Sequence, residues 1–432
     1  MLAAMQGPVP NDLNYYSAGL ERDPAATPLH GVAHADIGIV GGGLAGLSAA
    51  LCLAEGGYRV MLLEAGRVGD GASGRNGGQV LPGYACPQSR LARLLDEQST
   101  RLLWELSVEG VRLLRQRIAR HRIECDWRAG HLHVAEKPRQ WRELREWQVE
   151  LRHAYGYLHT QLLERNAIHA LLGTRRYIGA LFDPDAGHLH PLRYVLGLAR
   201  AAKQAGVELR EHSRVLGYQR GAPATLRVQT EGGELRCQQL LFTGNALLGD
   251  VVPALTRRIL PVGTYMLATE PLGEARARSL IGNDASVSDM NWILDYFRRS
   301  ADHRLLFGGR VSYGGLAERD DPGPLRERML RVFPQLAGAR IDHHWGGWLD
   351  ITMNRAPDFG RLSPDVWYLQ GFSGHGLALS GLAGQLVAEA MAGASERFDV
   401  YARIPHRAFP GGALRRPLLR LAMLWFRLRD LL

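Results

Sequence analysis

A glycine-rich turn near the start of the chain constrains the fold more than any other feature of the sequence. It has the pattern Gly41-x-Gly43-x-x-Gly46 and lies between a short apolar run and a stretch with helical spacing. The first glycine allows a tight turn, the second lets the backbone approach a pyrophosphate, and the third lets a helix pack closely on a strand. The pattern therefore predicts a dinucleotide site at a helix N-terminus, where backbone N–H groups favour phosphate.

The segments around this turn complete a strand–helix–strand unit. Residues 36–40 and 59–64 are predicted as buried parallel strands because they are apolar on both faces, and residues 44–57 as the helix between them. Glu64 ends the second strand, where its carboxylate can accept both ribose hydroxyls of an adenosine and argues against a 2′-phosphate. The strand, the helix and the acid together argue against a chance glycine turn.

A second glycine-rich segment distinguishes an FAD site from an NAD site. Residues 69–79 read GDGASGRNGGQ and follow the second strand almost at once. An NAD enzyme normally continues into another helix at this point, whereas this loop offers N–H groups and small side chains. Such a loop can wrap a pyrophosphate, a ribityl chain and one edge of a flavin ring. The alternative is a mobile surface loop, which Gly and Asn also favour.

The composition is that of a globular protein with more than one domain. At roughly 150 residues per domain, 432 residues predict about two or three domains. Apolar residues make up 46% and charged residues 22%, which excludes disordered and fibrous classes. The sequence has no run of about 18 apolar residues, so we predict no transmembrane helix, and its first residues do not have the pattern of a secretory signal.

The charged residues and cysteines exclude further classes of function. The chain has 52 basic and 43 acidic residues, and its only lysines are Lys137 and Lys203. The arginines are spread over every segment rather than gathered among aromatics, so we expect no nucleic-acid partner. The four cysteines form no C-x-x-C pair and no pattern suits a metal. We therefore predict no disulfide framework, no metal site and a cytoplasmic location.

Segments of nucleotide-binding character alternate along the chain with segments of a different character. The former are 36–82, 207–246 and 361–393, and the strand-rich residues 258–355 lie between the last two. We therefore expect one sheet domain assembled from separated segments and a second domain built from the insertions. Further helices are predicted at 91–121, 138–155, 192–205 and 377–391, further strands at 207–209, 226–230, 239–243 and 366–369, and an irregular arm at 1–35.

Several motifs resemble one class of flavoproteins. Residues 36–64 and the GASGRNGGQ loop resemble the glycine oxidase and D-amino-acid oxidase class of FAD oxidoreductases. The motifs LLFGGR, NRAPDFGR, GFSGHG and FPGG, which begin at residues 305, 354, 371 and 409, resemble the γ-glutamylputrescine oxidase branch of that class. The resemblance covers nearly the whole chain.

The resemblance implies a fold and a division into domains. The expected fold is an α/β FAD-binding domain of Rossmann type, similar to glutathione reductase and assembled from discontinuous segments, with an α+β substrate domain whose sheet is mainly antiparallel. The expected divisions are an N-terminal arm at 1–35, an FAD-binding domain at 36–84, 185–250 and 355–413, a substrate domain at 85–184 and 251–354, and a C-terminal amphipathic helix at 414–432.

The resemblance also implies which residues hold FAD. Gly41, Gly43, Gly46 and Glu64 are expected to bind the ADP half, and Ala72, Ser73, Arg75, Asn76, Gly78 and Gln79 to lie along the pyrophosphate and the flavin. Val215 is expected to contact the adenine, and Gly374, His375 and Gly376 the pyrimidine edge of the flavin. Gly244, in the turn after a buried strand, is also expected to contact FAD. The assignment at the pyrimidine edge has a physical reason, because reduction leaves negative charge near flavin N1 and O2. A helix N-terminus opened by a glycine loop stabilises such charge.

The reaction implied is the oxidation of a primary amine such as γ-glutamylputrescine. A neutral amine gives up hydride to flavin N5, and the imine hydrolyses to an aldehyde and ammonia. Oxygen then reoxidises the flavin and forms hydrogen peroxide. Two alternatives stay open: an amino-acid or N-methyl amino-acid oxidase or dehydrogenase that passes electrons to a quinone or another acceptor, and a binding protein that keeps FAD for structure, against which the complete GFSGHG motif argues.

Catalytic and substrate-binding residues are less constrained by the sequence. Sarcosine-oxidase-like relatives place a lysine near the flavin, but neither lysine of this chain is placed for that role. His375 is the candidate catalytic residue, with a loop-capping role as the equal alternative. Arg310 could pair with a glutamyl carboxylate or be an ordinary surface arginine. The candidate substrate pocket consists of Trp292, Tyr296, Arg310, Tyr313 and Trp348.

Two further expectations concern attachment and the tail. The GASGRNGG loop lacks a His or Cys for covalent attachment, so we predict non-covalent FAD. In residues 414–432, apolar side chains cover most of a helix circumference and leave a narrow arginine stripe. We expect this helix to dock on its own domain or on a partner subunit, with contact to a membrane surface as the alternative.

Overall fold

A computed structural model describes residues 14–221, 225–312 and 321–410, without the side chains of residues 310–312. The strands, in chain order, are Gly31–His34 (β1), Ile37–Val40 (β2), Val60–Leu63 (β3), Gln79–Val80 (β4), Arg128–Ala135 (β5), Gln161–Glu164 (β6), Gly179–His188 (β7), Glu208–Arg210 (β8), Val215–Arg220 (β9), Leu226–Thr230 (β10), Gly233–Cys237 (β11), Gln239–Phe242 (β12), Ile259–Thr269 (β13), Ser286–Asp289 (β14), Tyr296–Arg299 (β15), Leu305–Ser312 (β16), Ile341–Thr352 (β17), Asp358–Ser363 (β18) and Val366–Gln370 (β19). The helices are Leu44–Glu55 (α1), Gln88–Leu91 (α2), Glu97–Arg120 (α3), Pro138–Tyr155 (α4), Arg165–Leu171 (α5), Pro191–Gln204 (α6), Pro253–Thr256 (α7), Glu274–Leu280 (α8), Gly323–Val332 (α9), Leu377–Met391 (α10) and Glu396–Ala402 (α11).

A six-stranded sheet is assembled from separated segments, as the sequence predicted. Its order is β18-β19-β12-β2-β3-β8, and all pairs are parallel except β18 with β19. Every residue of β2 and β3 is buried. The reason is that α1 and α10 cover one face of the sheet, while a four-stranded sheet in the order β1-β11-β10-β9 covers the other. This confirms the predicted α/β domain.

The four-stranded sheet corrects one expectation and adds two strands that the sequence analysis did not predict. Residues 1–35 were expected to be irregular, but β1 pairs in parallel with β11. Strands β9 and β11 were not predicted either. The hydrophobic pattern does not reveal β1, because it is partly solvent-exposed and its Val32 side chain is 55% exposed. Pairing with a distant strand, rather than burial of its own side chains, therefore makes this segment a strand.

The second layer is a nine-stranded, mainly antiparallel sheet. Its path is β17-β13-β16-β15-β14-β5-β7-β4, with β6 paired to β7, and only the β5–β14 pair is parallel among the described strands. Phe297, Phe307 and Phe333 pack in the core under this sheet, against α9. The mainly antiparallel sheet was predicted. The domain boundaries stay a prediction, and the short strand β4, assigned by sequence to the FAD-binding domain, pairs with β7 in this sheet.

One helix prediction was wrong at its start. A single helix was expected over 91–121, but the chain forms α2, a turn, and then α3. Asp96 causes the restart because its carboxylate accepts the Ser99 N–H at 2.7 Å and thereby caps the first turn of α3.

The expectation of an amphipathic C-terminal helix at 414–432 lies outside the described residues. Within the described ranges, no single helix is long and apolar enough to cross a membrane. The bent pair α10 and α11 passes that test only when the two helices are taken together, and α10 is a buried core helix.

We predict that Gly384→Ala destabilises the fold by about 1–3 kcal/mol because it overfills the contact between α10 and α1. An ideal Cβ on Gly384 lies 2.5 Å from Ser48 Cβ and 2.6 Å from the Ala45 carbonyl oxygen. Gly338→Ala is the matched control, because a Cβ there meets no atom within 4 Å. Thermal melts of both variants check the prediction; equal melting temperatures would contradict it.

Candidate active site

A cavity of about 1530 Å³ lies between the carboxyl ends of the six-stranded sheet and the face of the nine-stranded sheet. Gly43 and Glu64 line it from the first sheet, and Tyr296 and Trp348 from the second. Its volume exceeds the usual range of about 300–1,000 Å³ for a small-molecule site. The cavity therefore has room for a dinucleotide together with a substrate.

The turn between β2 and α1 requires glycine for the reasons that its sequence suggested. Gly41 has φ +115° and donates its N–H to the Leu63 carbonyl at 2.9 Å. A Cβ on Gly43 would lie 2.9 Å from Ser73 Oγ, and one on Gly46 would collide with the Gly41 carbonyl oxygen. A side chain at Gly43 would fill the space in front of the α1 N-terminus, and one at Gly46 would push α1 away from the turn. The turn therefore keeps that N-terminus open to a phosphate.

Glu64 closes the other side of the turn. Its Oε2 accepts the Gly42 N–H at 2.6 Å and its Oε1 accepts the Gly66 N–H at 2.8 Å. Burial raises the pKa of the Glu64 carboxyl, while these two donors act in the opposite direction. A carboxylate has about four acceptor positions, so two remain for ribose hydroxyls. The residue fits its predicted role and also holds the turn.

The second glycine-rich loop is held by its own hydrogen bonds. Asn76 Nδ2 donates to the carbonyls of Ala72 and Ser73 at 3.0 Å each, and Asn76 Oδ1 accepts the Gly78 N–H at 2.8 Å. Ser73 Oγ accepts the Leu44 N–H at 3.0 Å, which joins this loop to the start of α1. These bonds argue against the alternative of a mobile surface loop for this segment.

A third loop, which precedes α10, completes the cavity wall. Gly371, Ser373 and Gly374 have positive φ of 78°, 53° and 90°. The buried Asp350 carboxylate accepts the N–H groups of Gly371 and, at 3.2 Å, Phe372. Burial raises the pKa of Asp350 to about 7. A side chain from the nine-stranded sheet thus fixes the loop that the sequence assigned to the flavin edge.

His375 anchors the same loop. Its Nε2 donates to the Pro82 carbonyl at 3.1 Å, and burial lowers the pKa of the imidazole. A neutral ring with one nitrogen in this bond supplies no positive charge. The geometry therefore favours the loop-capping role over the catalytic one. Among the described residues that line the cavity there is no lysine, and Lys137 and Lys203 lie elsewhere.

The cavity wall brings together most of the residues that the sequence singled out. They are Gly41, Gly43, Glu64, Ala72, Ser73, Arg75, Asn76, Gln79, Val215, Gly244, Trp292, Tyr296, Trp348, Gly374, His375 and Gly376. Gly46 and Gly78 lie behind the wall and shape it. The side chain of Arg310, on β16, and the whole of Tyr313 lie outside the described residues.

Comparison with known proteins identifies the family. Residues 36–390 match the family model described as FAD dependent oxidoreductase, DAO. The chain belongs to this family. It is 42% identical to the gamma-glutamylputrescine oxidoreductase of Escherichia coli strain K12, over 96% of this chain and 98% of that protein. It is 40% identical to a probable oxidoreductase, OrdL, of Haemophilus influenzae, over 93% of each chain.

Solved structures agree on the fold of this DAO-family chain. Glycine oxidase from Geobacillus kaustophilus superimposes with a TM-score of 0.69, at 22% identity over 83% of this chain and 95% of that one. Together with the family match, this confirms the predicted family class, the α/β FAD-binding fold with a second α+β part, and FAD as the cofactor. The open α1 N-terminus, the Glu64 carboxylate and the ordered loop at Asn76 fit FAD independently of the match.

Two predicted pocket residues have contacts that modify their role in this DAO-family site. The Tyr296 ring lies between two glycines: a Cβ on Gly77 would lie 2.8 Å from it, and one on Gly308 would collide with it. Tyr296 therefore supports the second loop as well as the cavity wall. Trp292 has the Arg355 guanidinium 4.6 Å above its ring centre. Arg355 also lines the cavity, and the sequence analysis did not single it out.

Other lining residues were missed as well. Glu143, Glu146 and Glu150 on α4 all line the cavity, and their i, i+3, i+7 spacing places them on one helix face. That spacing was the available signal. His133 lines the cavity with Nδ1 3.4 Å from Ser288 Oγ, and burial lowers its pKa to about 3. No sequence spacing connects His133 with Ser288, because they meet only across β5 and β14.

We predict that Glu64→Gln weakens FAD binding about ten- to a hundred-fold, because a charge-assisted bond of about 1.5–3 kcal/mol is lost. Glu211→Gln is the matched control. Glu211 is also buried and accepts two backbone N–H groups, from Ala26 and Val68, each at 2.7 Å, but it does not line the cavity. FAD titration of both apoproteins checks this. A similar loss of affinity in both variants would show that Glu64 acts only on stability.

Proposed function

We propose that this chain oxidises the primary amine of γ-glutamylputrescine or a related polyamine derivative. The products are an imine, which water hydrolyses to an aldehyde and ammonia, and reduced flavin, which oxygen reoxidises with formation of hydrogen peroxide. The Escherichia coli relative named gamma-glutamylputrescine oxidoreductase supports the substrate class, because the similarity covers nearly the whole of both chains. We also propose a location in the cytoplasm, as expected from the sequence.

The acidic face of α4 is the observation that carries the choice of a cationic substrate. Glu143, Glu146 and Glu150 line the same cavity as the predicted FAD-binding residues. Arg139 lines it too and pairs with Glu143 at 3.6 Å, so Glu146 and Glu150 carry the net negative charge of this face. Glu143 and Glu146 are exposed, while burial raises the pKa of Glu150. Carboxylates at a cavity entrance raise the local concentration of a cationic amine. They also offer acceptors for the proton that the ammonium group must lose before oxidation.

Apolar and basic groups in the wall suit the rest of such a substrate. Trp147 and Trp292 line the cavity and can pack against an aliphatic chain. Arg355, over the Trp292 ring, offers a guanidinium for a carboxylate at the far end of the substrate. Bound FAD supplies the hydride acceptor. The work of the protein is then to orient the reacting carbon and exclude water.

The second candidate is an amino-acid or N-methyl amino-acid oxidase or dehydrogenase that uses a quinone or another acceptor. Arg355 favours it as well, because such substrates need a carboxylate clamp in the same cavity. The acidic face of α4 favours the first candidate, because the distal amine of γ-glutamylputrescine adds a positive charge that a zwitterionic amino acid lacks.

We predict that FAD is not covalently attached, since the loop at residues 71–78 has no His or Cys. Acid precipitation of the yellow protein should release all of the colour into the supernatant. Colour that stays in the pellet after washing would contradict the prediction.

We predict that γ-glutamylputrescine bleaches the FAD-loaded protein without oxygen faster than N-acetylputrescine, putrescine, glycine or sarcosine. N-acetylputrescine is the matched control, because it keeps the amide and the reacting amine but lacks the amino-acid end that carries the carboxylate. Stopped-flow absorbance measures the rates. Comparing the rate of peroxide formation in air with the rate of reduction of a dye acceptor then tests whether oxygen is the oxidant. Faster bleaching by glycine or sarcosine would favour the second candidate.

A further inference from the structure

Arg298 is a buried cation behind the second glycine-rich loop. It lies on β15 and is 4% exposed. Its Nε donates to the Gly77 carbonyl at 2.7 Å, its Nη2 to the Leu189 carbonyl at 2.9 Å and the Tyr16 hydroxyl at 3.2 Å, and its Nη1 to the Arg299 carbonyl at 3.1 Å. All of these acceptors are neutral. Within the described ranges, no carboxylate lies within salt-bridge distance of this guanidinium.

A buried charge without a counter-ion is unusual. Ionised side chains inside proteins are normally paired, because desolvation costs several kcal/mol. An arginine cannot escape this cost by losing its proton, since the pKa of a guanidinium is above 12. The neighbouring imidazoles do not add charge: burial, together with nearby arginines that include Arg298, lowers the pKa of His188 and of His190 to about 3. Asp284, which lines the same small cavity as Arg298, is paired with Arg299 at 3.0 Å, so no described carboxylate is paired with Arg298 itself.

The position of this charge relates it to the cofactor. Gly77 lines the cavity and Gly78 follows it with φ +75°. A Cβ on Gly78 would lie 2.8 Å from Arg298 Nη2, so the guanidinium packs directly against this peptide. The other side of Gly77 contacts the ring of Tyr296. One layer of backbone separates Arg298 from the cavity wall.

We propose that Arg298 is a positioning residue that fixes the Gly77–Gly78 segment and supplies a fixed positive charge that favours the reduced, negatively charged flavin. No lysine lines the cavity among the described residues, and His375 is held neutral by burial. Arg75, which is 4% exposed and lines the cavity on the same loop, is one arginine at this wall, and Arg298 adds a second fixed positive charge from behind the loop. The inference rests on FAD binding and is independent of which amine is the substrate.

The test measures properties of the bound flavin rather than turnover. Sulfite adds reversibly to flavin N5 and leaves negative charge on the ring, so its dissociation constant reports the local field. In FAD-loaded Arg298→Gln we expect that constant to rise about ten-fold or more, because the substitution removes a unit charge that is only weakly screened inside the protein. Ten-fold for a two-electron couple corresponds to a fall of about 30 mV in the midpoint potential.

Two further variants keep the test decisive. Arg298→Lys retains the positive charge but lacks the several N–H donors of the planar guanidinium. Its sulfite affinity should therefore stay within about three-fold of that of the unmodified protein. Arg117→Gln is the matched control: Arg117 is 5% exposed, also contacts only neutral groups (Ser48 Oγ, the Gly381 carbonyl and Cys52 Sγ), and does not line the cavity. Its sulfite affinity should not change more than two-fold.

The outcomes separate a charge effect from a packing effect. If Arg298→Gln does not retain FAD, Arg298→Met takes its place as the neutral variant, and the same rise in the sulfite constant is expected there, because it removes the charge and keeps an unbranched side chain. An unchanged sulfite constant in FAD-loaded Arg298→Gln would overturn the proposal. So would a ten-fold weakening in Arg298→Lys, or an equal weakening in the Arg117→Gln control.

Discussion

The backbone segments between β2 and α1 lie very close to one another, and the shape of the cofactor cavity depends on this close contact. A side chain at Gly46 would collide with the Gly41 carbonyl oxygen, and one at Gly43 would meet Ser73 Oγ. The same Ser73 Oγ accepts the Leu44 N–H at the start of α1. Because one hydroxyl joins the second loop to the first helix, the two glycine-rich loops behave as one unit that presents N–H groups to the cavity.

The nine-stranded sheet supports this unit in addition to forming the substrate wall. Asp350 on β17 binds the N–H groups of the loop before α10. Arg298 on β15 binds the Gly77 carbonyl of the second loop. Tyr296, from the same strand, lies under that loop. Loops that belong to the nucleotide-binding sheet are therefore held by side chains of the other sheet. This couples cofactor geometry to the layer that contacts substrate.

The parts of this arrangement that could be predicted are those encoded in contiguous sequence. The turn at Gly41, the acid at Glu64 and the loop around Asn76 each combine glycine spacing with a neighbouring strand or helix. Asp350 and Arg298 carry no such signal, because an acid or an arginine within a strand looks like any surface residue until the sheets are assembled. Strand β1 and the restart of α3 were missed for a related reason: each depends on one contact that the hydrophobic pattern does not show.

The charge of the site at a given pH depends on which of its buried groups gain or lose a proton near neutrality. Arginine keeps its charge throughout the pH range of a folded protein, so the contribution of Arg298 is constant. Burial lowers the pKa of His375 and lowers that of His133 to about 3, so both imidazoles are neutral near pH 7. Burial raises the pKa of Asp350 to about 7, so the charge beside the flavin-edge loop changes near neutrality. A chain with two lysines thus takes its constant positive field from arginine and its pH response from a carboxyl group.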